Sequence, residues 1–179
     1  MKRFLLSASL LAFTATLFAQ PKTPASPPET ATGTIAGHTL TIKYSSPRVN
    51  GREGKIFGPG GLIQQTHQEY PVWRAGANAA TALHTDGELK IGDLTVPAGD
   101  YTLFVNIADN NRWVLIVSKA TGEWGLRYNP SDDLGKTPMT MSKPPSMVEN
   151  LAWKITSGKK GTITLEWENH SASVPVTAR

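Results

Sequence analysis

The sequence predicts an all-β domain, an antiparallel β-sandwich of jelly-roll type or a flattened barrel of about eight to ten strands with little helix. Three observations lead there. Apolar residues recur with period two through most of the chain, and turn signals built from Gly, Asn, Asp and Pro recur about every ten residues. No segment beyond residue 33 sustains a helical period.

The chain opens with Lys2 and Arg3 before an apolar run from Phe4 to Phe18, followed by Ala19 and a polar stretch. That is the pattern of a secretory signal peptide spanning residues 1–19. The run is shorter than the ~20 residues that cross a bilayer, so a removed leader is expected rather than an anchor, and the destination is the periplasm or the medium. No second long apolar stretch follows, so no membrane insertion is expected after cleavage. Cysteine is absent, which excludes disulfides, thiol nucleophiles, thiolate metal sites and a lipidated cysteine. Residues 20–33, with Pro21, Pro24, Pro27 and Pro28 and few large apolar side chains, read as a flexible linker. Residues 34–179 then form one β-sandwich domain, long enough to bury roughly two-thirds of its unfolded surface without covalent staples. The formal charge is +4; without Lys2 and Arg3, 16 basic and 14 acidic residues leave +2. Beyond the leader only Lys159 and Lys160 are adjacent, so the clustered basic footprint of a nucleic-acid binder is missing.

Leu40, Ile42 and Tyr44 alternate with Thr39, Thr41, Lys43 and Ser45 as a half-buried strand. Thr81, Leu83 and Thr85 lead into Asp86-Gly87, a dipeptide suited to a tight hairpin, with Leu89 and Ile91 as the returning strand. Leu94 and Val96 approach a Pro97-Ala98-Gly99 turn, after which Tyr101, Leu103, Val105 and Ile107 share a face and Asp109-Asn110-Asn111 reverses the chain. Trp113 to Val117 is continuously apolar, as in a strand covered on both faces. Trp124, Leu126 and Tyr128 alternate as a further short strand, and Met139 and Met141 suit buried gap-filling positions. Leu151, Trp153 and Ile155, a Gly158–Gly161 turn, Ile163, Leu165 and Trp167, and finally Val174 and Val176 close the sheet structure. A one-turn helix is allowed at Ala75 to Ala80.

The segment Tyr70–Thr81 fits neither strand nor helix, and it is the one stretch with the composition of a site. The Arg74 guanidinium offers a planar fork of donors suited to a carboxylate or phosphate, Trp73 a stacking face, and Asn78 both a donor and an acceptor. The same residues also suit a scaffold: Trp73 as a core plug, Arg74 paired with a structural carboxylate, and Asn78 closing an Asx turn. Arg48 and Arg52, in the preceding glycine-rich loop, are placed to converge on the same pocket, and Thr81 ends the segment. Trp124 and Tyr128, on one strand face, suit either core burial or an aromatic platform for a sugar ring. The candidate ligand-binding set is therefore Arg48, Arg52, Trp73, Arg74, Asn78, Thr81, Trp124 and Tyr128. His38, His67, His84 and His170 show no His-x-His or His-x-x-x-His spacing, so no metal site is expected, and no cofactor motif is present. The Gly-x-Ser-x-Gly elbow, the His-Glu-x-x-His helix and the phosphate loop are all missing.

Tyr44-Ser-Ser-Pro47, Gly51-Arg52, Ile56-Phe57-Gly58, Trp73-Arg74-Ala-Gly-Ala-Asn78, Ala80-Thr81, Pro97-Ala-Gly-Asp-Tyr101, Trp124-Gly125 and a late Trp-Glu together resemble the bacterial family called domain of unknown function 2911. The resemblance covers nearly all of the chain after the leader and implies no reaction. It also implies a departure: many relatives carry Glu between the Asn and the Ala-Thr, where this chain has Ala79. Were that carboxylate catalytic, this member would be impaired.

Three functions fit these residues. The first is an exported sandwich binding a small molecule, glycan or envelope partner through the Arg48–Thr81 loops, without catalysis. The second is an envelope hydrolase or isomerase in which Arg74 stabilises charge and His38 or His84 is the base. The third is a structural or assembly protein, which an exposed apolar patch would signal.

Overall fold

The structure, a computed structural model, describes residues 24–122, 124–125 and 127–178. The expected leader, the first part of the expected linker and Leu126 lie outside them. Thirteen strands appear among the described residues: β1 (Pro28–Ile35), β2 (His38–Ser45), β3 (Val72–Trp73), β4 (Thr81–Thr85), β5 (Leu89–Ile91), β6 (Leu94–Val96), β7 (Gly99–Asn106), β8 (Val114–Ser118), β9 (Asp133–Pro138), β10 (Thr140–Ser142), β11 (Val148–Thr156), β12 (Lys160–Glu168) and β13 (His170–Ala178). Among the described residues helix is confined to α1 (Leu62–Thr66) and a single 3-10 turn at Pro130–Asp132.

Two antiparallel sheets hold these strands, one ordered β1-β2-β4-β7-β8-β9 with β3 also on β7, the other β11-β12-β13-β5-β6 with β10 also on β13. The molecule is thus a sandwich and not a closed barrel. Period-two alternation turns Leu40, Ile42, Leu83, Leu103 and Leu115 inward from the first sheet against Trp153, Ile163, Leu165, Val174 and Val176 from the second, and all belong to one buried cluster. In β8 both parities are buried, Ile116 as well as Leu115 and Val117, as the unbroken apolar run requires.

One pair of sheet edges is stitched together. Ala36 N–H donates to the Gly158 carbonyl (2.7 Å) and Gly158 N–H to that of Thr34 (2.9 Å). Gly33 lies so close to β11 that an added Cβ would fall 2.4 Å from Ile155 Cγ2. The sandwich therefore begins at Pro28, inside the segment expected to be a linker. An edge strand tolerates proline at its first residue, and β1 needs only one inward face, supplied by Ala31, Gly33 and Ile35 while Thr30, Thr32 and Thr34 face water. Its shortage of large apolar residues is the mark of an edge.

Other expectations are corrected. Strands are more numerous than eight to ten because β1, the two-residue β3 and β9 fall in segments that do not read as strand in sequence. The Asp86-Gly87 hairpin does not form: β4 pairs with β2 and β7, whereas β5 pairs with β6 and β13 in the other sheet. A two-residue type I′ turn needs positive φ at both central positions, and neither Asp86 nor Gly87 has it. Instead Asp86 accepts a hydrogen bond from Thr39 N–H (2.8 Å) and Thr85 Oγ1 donates to the Gly87 carbonyl (2.7 Å), turning the chain across the sandwich. Ala75 to Ala80 is not helical, because Ala75 and Asn78 both sit in the left-handed region, at φ of 52° and 57°. Trp124, Gly125, Arg127 and Tyr128 are not in a strand either.

Candidate functional site

β3 and β4 lie along the same edge of β7, with Trp73 opposite Val105 and Thr81 opposite Leu103. Residues 74–80 thus leave the ladder and return to it across from Phe104 alone. Such an excursion strands its own backbone polar groups, which need partners from outside the ladder. Two indoles and a hydroxyl meet that need. Trp73 Nε1 donates to the Gly76 carbonyl (3.2 Å), while Trp153 Nε1, from the opposite sheet, and Thr81 Oγ1 both donate to the Ala75 carbonyl (3.0 and 3.1 Å). Ala77 N–H donates to the carbonyl of Ser45 at the end of β2 (3.1 Å). At Gly76 the fit is tight, since a Cβ would lie 3.1 Å from both the Ser45 carbonyl oxygen and Thr81 Oγ1.

The excursion holds Arg74 at a cavity of about 200 Å³ whose wall includes Arg52, Leu62, His67, Trp73 and Trp167. The indoles of Trp73 and Trp167 stack (5.9 Å, 21°), and Phe57 meets both edge-on at 5.8 and 5.7 Å. Among the described residues no carboxylate lines the cavity. Three residues of the wall each bury a polar atom that has no hydrogen-bond partner: Arg74 Nε, His67 Nε2 and Trp167 Nε1. Buried polar groups are nearly always paired, and each exception asks for an explanation. Three of the six such atoms among the described residues thus belong to the wall of one cavity.

The state of His67 follows from its neighbours. It ends α1, with its N–H on the Ile63 carbonyl (3.0 Å), and its Nδ1 lies 3.1 Å both from that same oxygen and from Thr66 Oγ1, whose own hydrogen goes to the Leu62 carbonyl (2.8 Å). A carbonyl only accepts, so in the neutral ring Nδ1 carries the hydrogen and Nε2 is left as an acceptor. Burial, and after it the positive charge of Arg74, holds the imidazole down to about 4, with the bond to Ile63 working in the opposite direction. The ring is neutral at pH 7. Burial likewise lowers the Arg74 guanidinium from its ordinary value, which means that its charge is incompletely compensated and would gain from an anion. Gly125 covers the Arg74 stem, where a Cβ would come within 2.4 Å of Cδ. Arg52 is anchored by its own loop, Nε donating to the Val49 carbonyl (3.0 Å) and a terminal nitrogen to that of Arg48 (2.7 Å). Arg52 and Leu62 also border a neighbouring cleft of about 440 Å³ that contains Lys55 and Gln65.

Of the eight residues singled out in the sequence, Arg52, Trp73 and Arg74 line this cavity. Arg48 instead bonds to the Asn150 side chain. Asn78 is exposed and reaches the Ser26 carbonyl (3.4 Å), and Thr81 is sealed against Ala75. Trp124 is 64% exposed, because it is Gly125 that turns inward onto Arg74. Tyr128 covers the outer face of the first sheet, on the Phe104 ring (5.2 Å) with its hydroxyl on Asp133 (2.7 Å). It lines a different cavity together with Asp132 and Arg127. His38 lies beside Asp86 (3.6 Å) and His84 beside Asp100 (2.8 Å), and neither lines the cavity of Arg74. Ala79 is exposed and borders another cavity with Lys43 and Tyr44, and it is not among the residues lining the cavity of Arg74. His67 was not foreseen; the only signal was its four-residue spacing from Ile63 in a polar stretch. Among the described residues no group of three or more His, Cys, Asp or Glu is placed to hold a metal ion, and no helix is long and apolar enough to cross a membrane.

The model of the family described as "Protein of unknown function (DUF2911)" matches residues 26–176. No curated protein and no solved structure matches the chain.

Proposed function

Because the chain belongs to the DUF2911 family, whose description names no activity, its function has to be read from its own residues, and we propose that it is an exported protein that binds a small organic anion at Arg74. The leader pattern of residues 1–19 supports export to the periplasm or medium. The single observation that carries the binding reading is that three unpartnered buried polar atoms, on Arg74, His67 and Trp167, belong to the wall of one cavity that no carboxylate lines among the described residues. An anion entering there would meet two N–H donors and an undercompensated positive charge, in surroundings where charge-assisted hydrogen bonds are strong. The volume of about 200 Å³ lies below the roughly 300–1,000 Å³ of pockets for drug-sized ligands, which points to a small guest.

Binding is favoured over catalysis by the basicity of His67. An efficient general base has a pKa near the working pH, whereas burial and Arg74 keep this ring near 4, suited to accepting a hydrogen bond and not to holding an abstracted proton. An assembly role finds little support, since the large hydrophobic residues exposed among those described are Trp124 and Met147 alone.

The test is thermal unfolding of the purified protein against acetate, propionate and formate at constant ionic strength, with chloride as the control. A bound anion at 100 times its Kd stabilises by about 2.7 kcal/mol, so the midpoint should climb by several degrees. Arg74→Gln should abolish the response. Equal stabilisation of the variant, or none by any carboxylate, ends the reading.

A further inference from the structure

We propose that the guest of the Arg74 cavity is a small 2-hydroxy carboxylate, its carboxylate on Arg74 and Trp167 and its hydroxyl on His67; this rests on the anion-binding reading above. The inference comes from counting donors and acceptors. Arg74 Nε–H and Trp167 Nε1–H can only donate, and both are buried without a partner. A carboxylate, with two oxygens and no hydrogen, answers both. It leaves His67 Nε2 unanswered, because Nδ1 is committed as a donor to the Ile63 carbonyl and the remaining ring nitrogen can only accept. A simple carboxylate would bury that lone pair beside its own negative charge. A ligand that adds one O–H donor satisfies all three atoms.

The rest of the wall narrows the class. Leu62, Ile63, Trp73 and Trp167 give it carbon faces, which suit an alkyl skeleton better than a bare inorganic oxyanion. The small volume keeps hydroxyl and carboxylate close together, as on adjacent carbons. His67 is only 8% exposed, so a partner missing from Nε2 is not replaced by bulk water, and the penalty for the wrong ligand is retained.

The experiment compares acids that differ by one hydroxyl, lactate against propionate and glycolate against acetate, by isothermal titration of the whole protein at pH 7. Lactate is expected to bind at least about ten-fold more tightly than propionate. His67→Phe should bring the two acids to equal affinity while propionate binding persists, and His67→Gln, which restores an acceptor, should recover part of the preference. Equal binding of lactate and propionate to the wild-type protein overturns the hydroxyl assignment and leaves the anion reading standing. Failure of every acid to bind overturns both. A lactate preference that survives in His67→Phe places the hydroxyl elsewhere and overturns the role of His67. Should His67→Phe not fold, the wild-type pairs together with His67→Gln still decide between these outcomes.

Discussion

His67 ties the proposed binding cavity to acidity. Its folded value of about 4 lies below the ordinary 6.5, so between those limits the unfolded chain binds more protons and stability rises with pH. The contribution is complete above about pH 6.5 and is lost as pH falls toward 4. It amounts to roughly 2–3 kcal/mol once partial solvent screening is allowed for. His170 is lowered too, by burial and against the pull of Glu168, and adds to the same slope. Urea unfolding across pH 4–7 should show the fall, and His67→Phe should flatten it; an unchanged slope in the variant would mean that His67 is not the group titrating. Gly125→Ala tests the cover on Arg74: its Cβ would meet Arg74 Cδ at 2.4 Å and Ala80 N at 3.0 Å, so a loss of about 1–3 kcal/mol is expected from overpacking, with weaker anion binding as the guanidinium shifts. Single residues were the least legible part of the site. Trp73 and Arg74 stood out by type and spacing, but an exposed Trp124 beside an inward Gly125 reverses what size and apolarity suggest, and nothing in a histidine among glutamines announces burial.

At the scale of elements, the excursion between β3 and β4 depends on side chains from three strands bonding its backbone. Thr81→Val keeps the buried shape while deleting one of the two donors to the Ala75 carbonyl, and Trp153→Phe deletes the other. Each should cost about 1 kcal/mol, and the double variant more than the sum, because only then is the carbonyl orphaned in the core; denaturant midpoints for the four proteins measure this directly. Additivity would show that the carbonyl finds another partner. Strand existence was readable wherever apolar residues alternated, as in β2, β7, β11, β12 and β13. Pairing was less so: Thr85-Asp86-Gly87 has the composition of a hairpin, and only the location of β5 in the second sheet shows it to be a crossing between layers. The two-residue β3 carries no period at all, so the edge it shares with β4, and with it the origin of the loop, lay beyond pattern reading.

For the molecule as a whole, alternation, turn spacing and absent helical period were enough for an all-β sandwich, since burying one face of each sheet leaves few other solutions. The expected boundary at residue 34 falls inside β1 because an edge strand needs so little apolar content. Its importance is testable: truncation to residue 36 removes β1, bares the edge of β2 and breaks the bonds to Gly158, so the melting temperature should drop by many degrees, whereas removal of residues 1–23 should leave it nearly unchanged. Similar losses from both truncations would deny β1 its place in the fold. The indole of Trp153 reaches from the second sheet to the peptide just after Arg74. The proposed recognition at Arg74 therefore requires the two layers to be docked, and a half-assembled chain would be blind to its guest. Occupancy would then report layer registry, and a guest would act as a clamp that slows their separation.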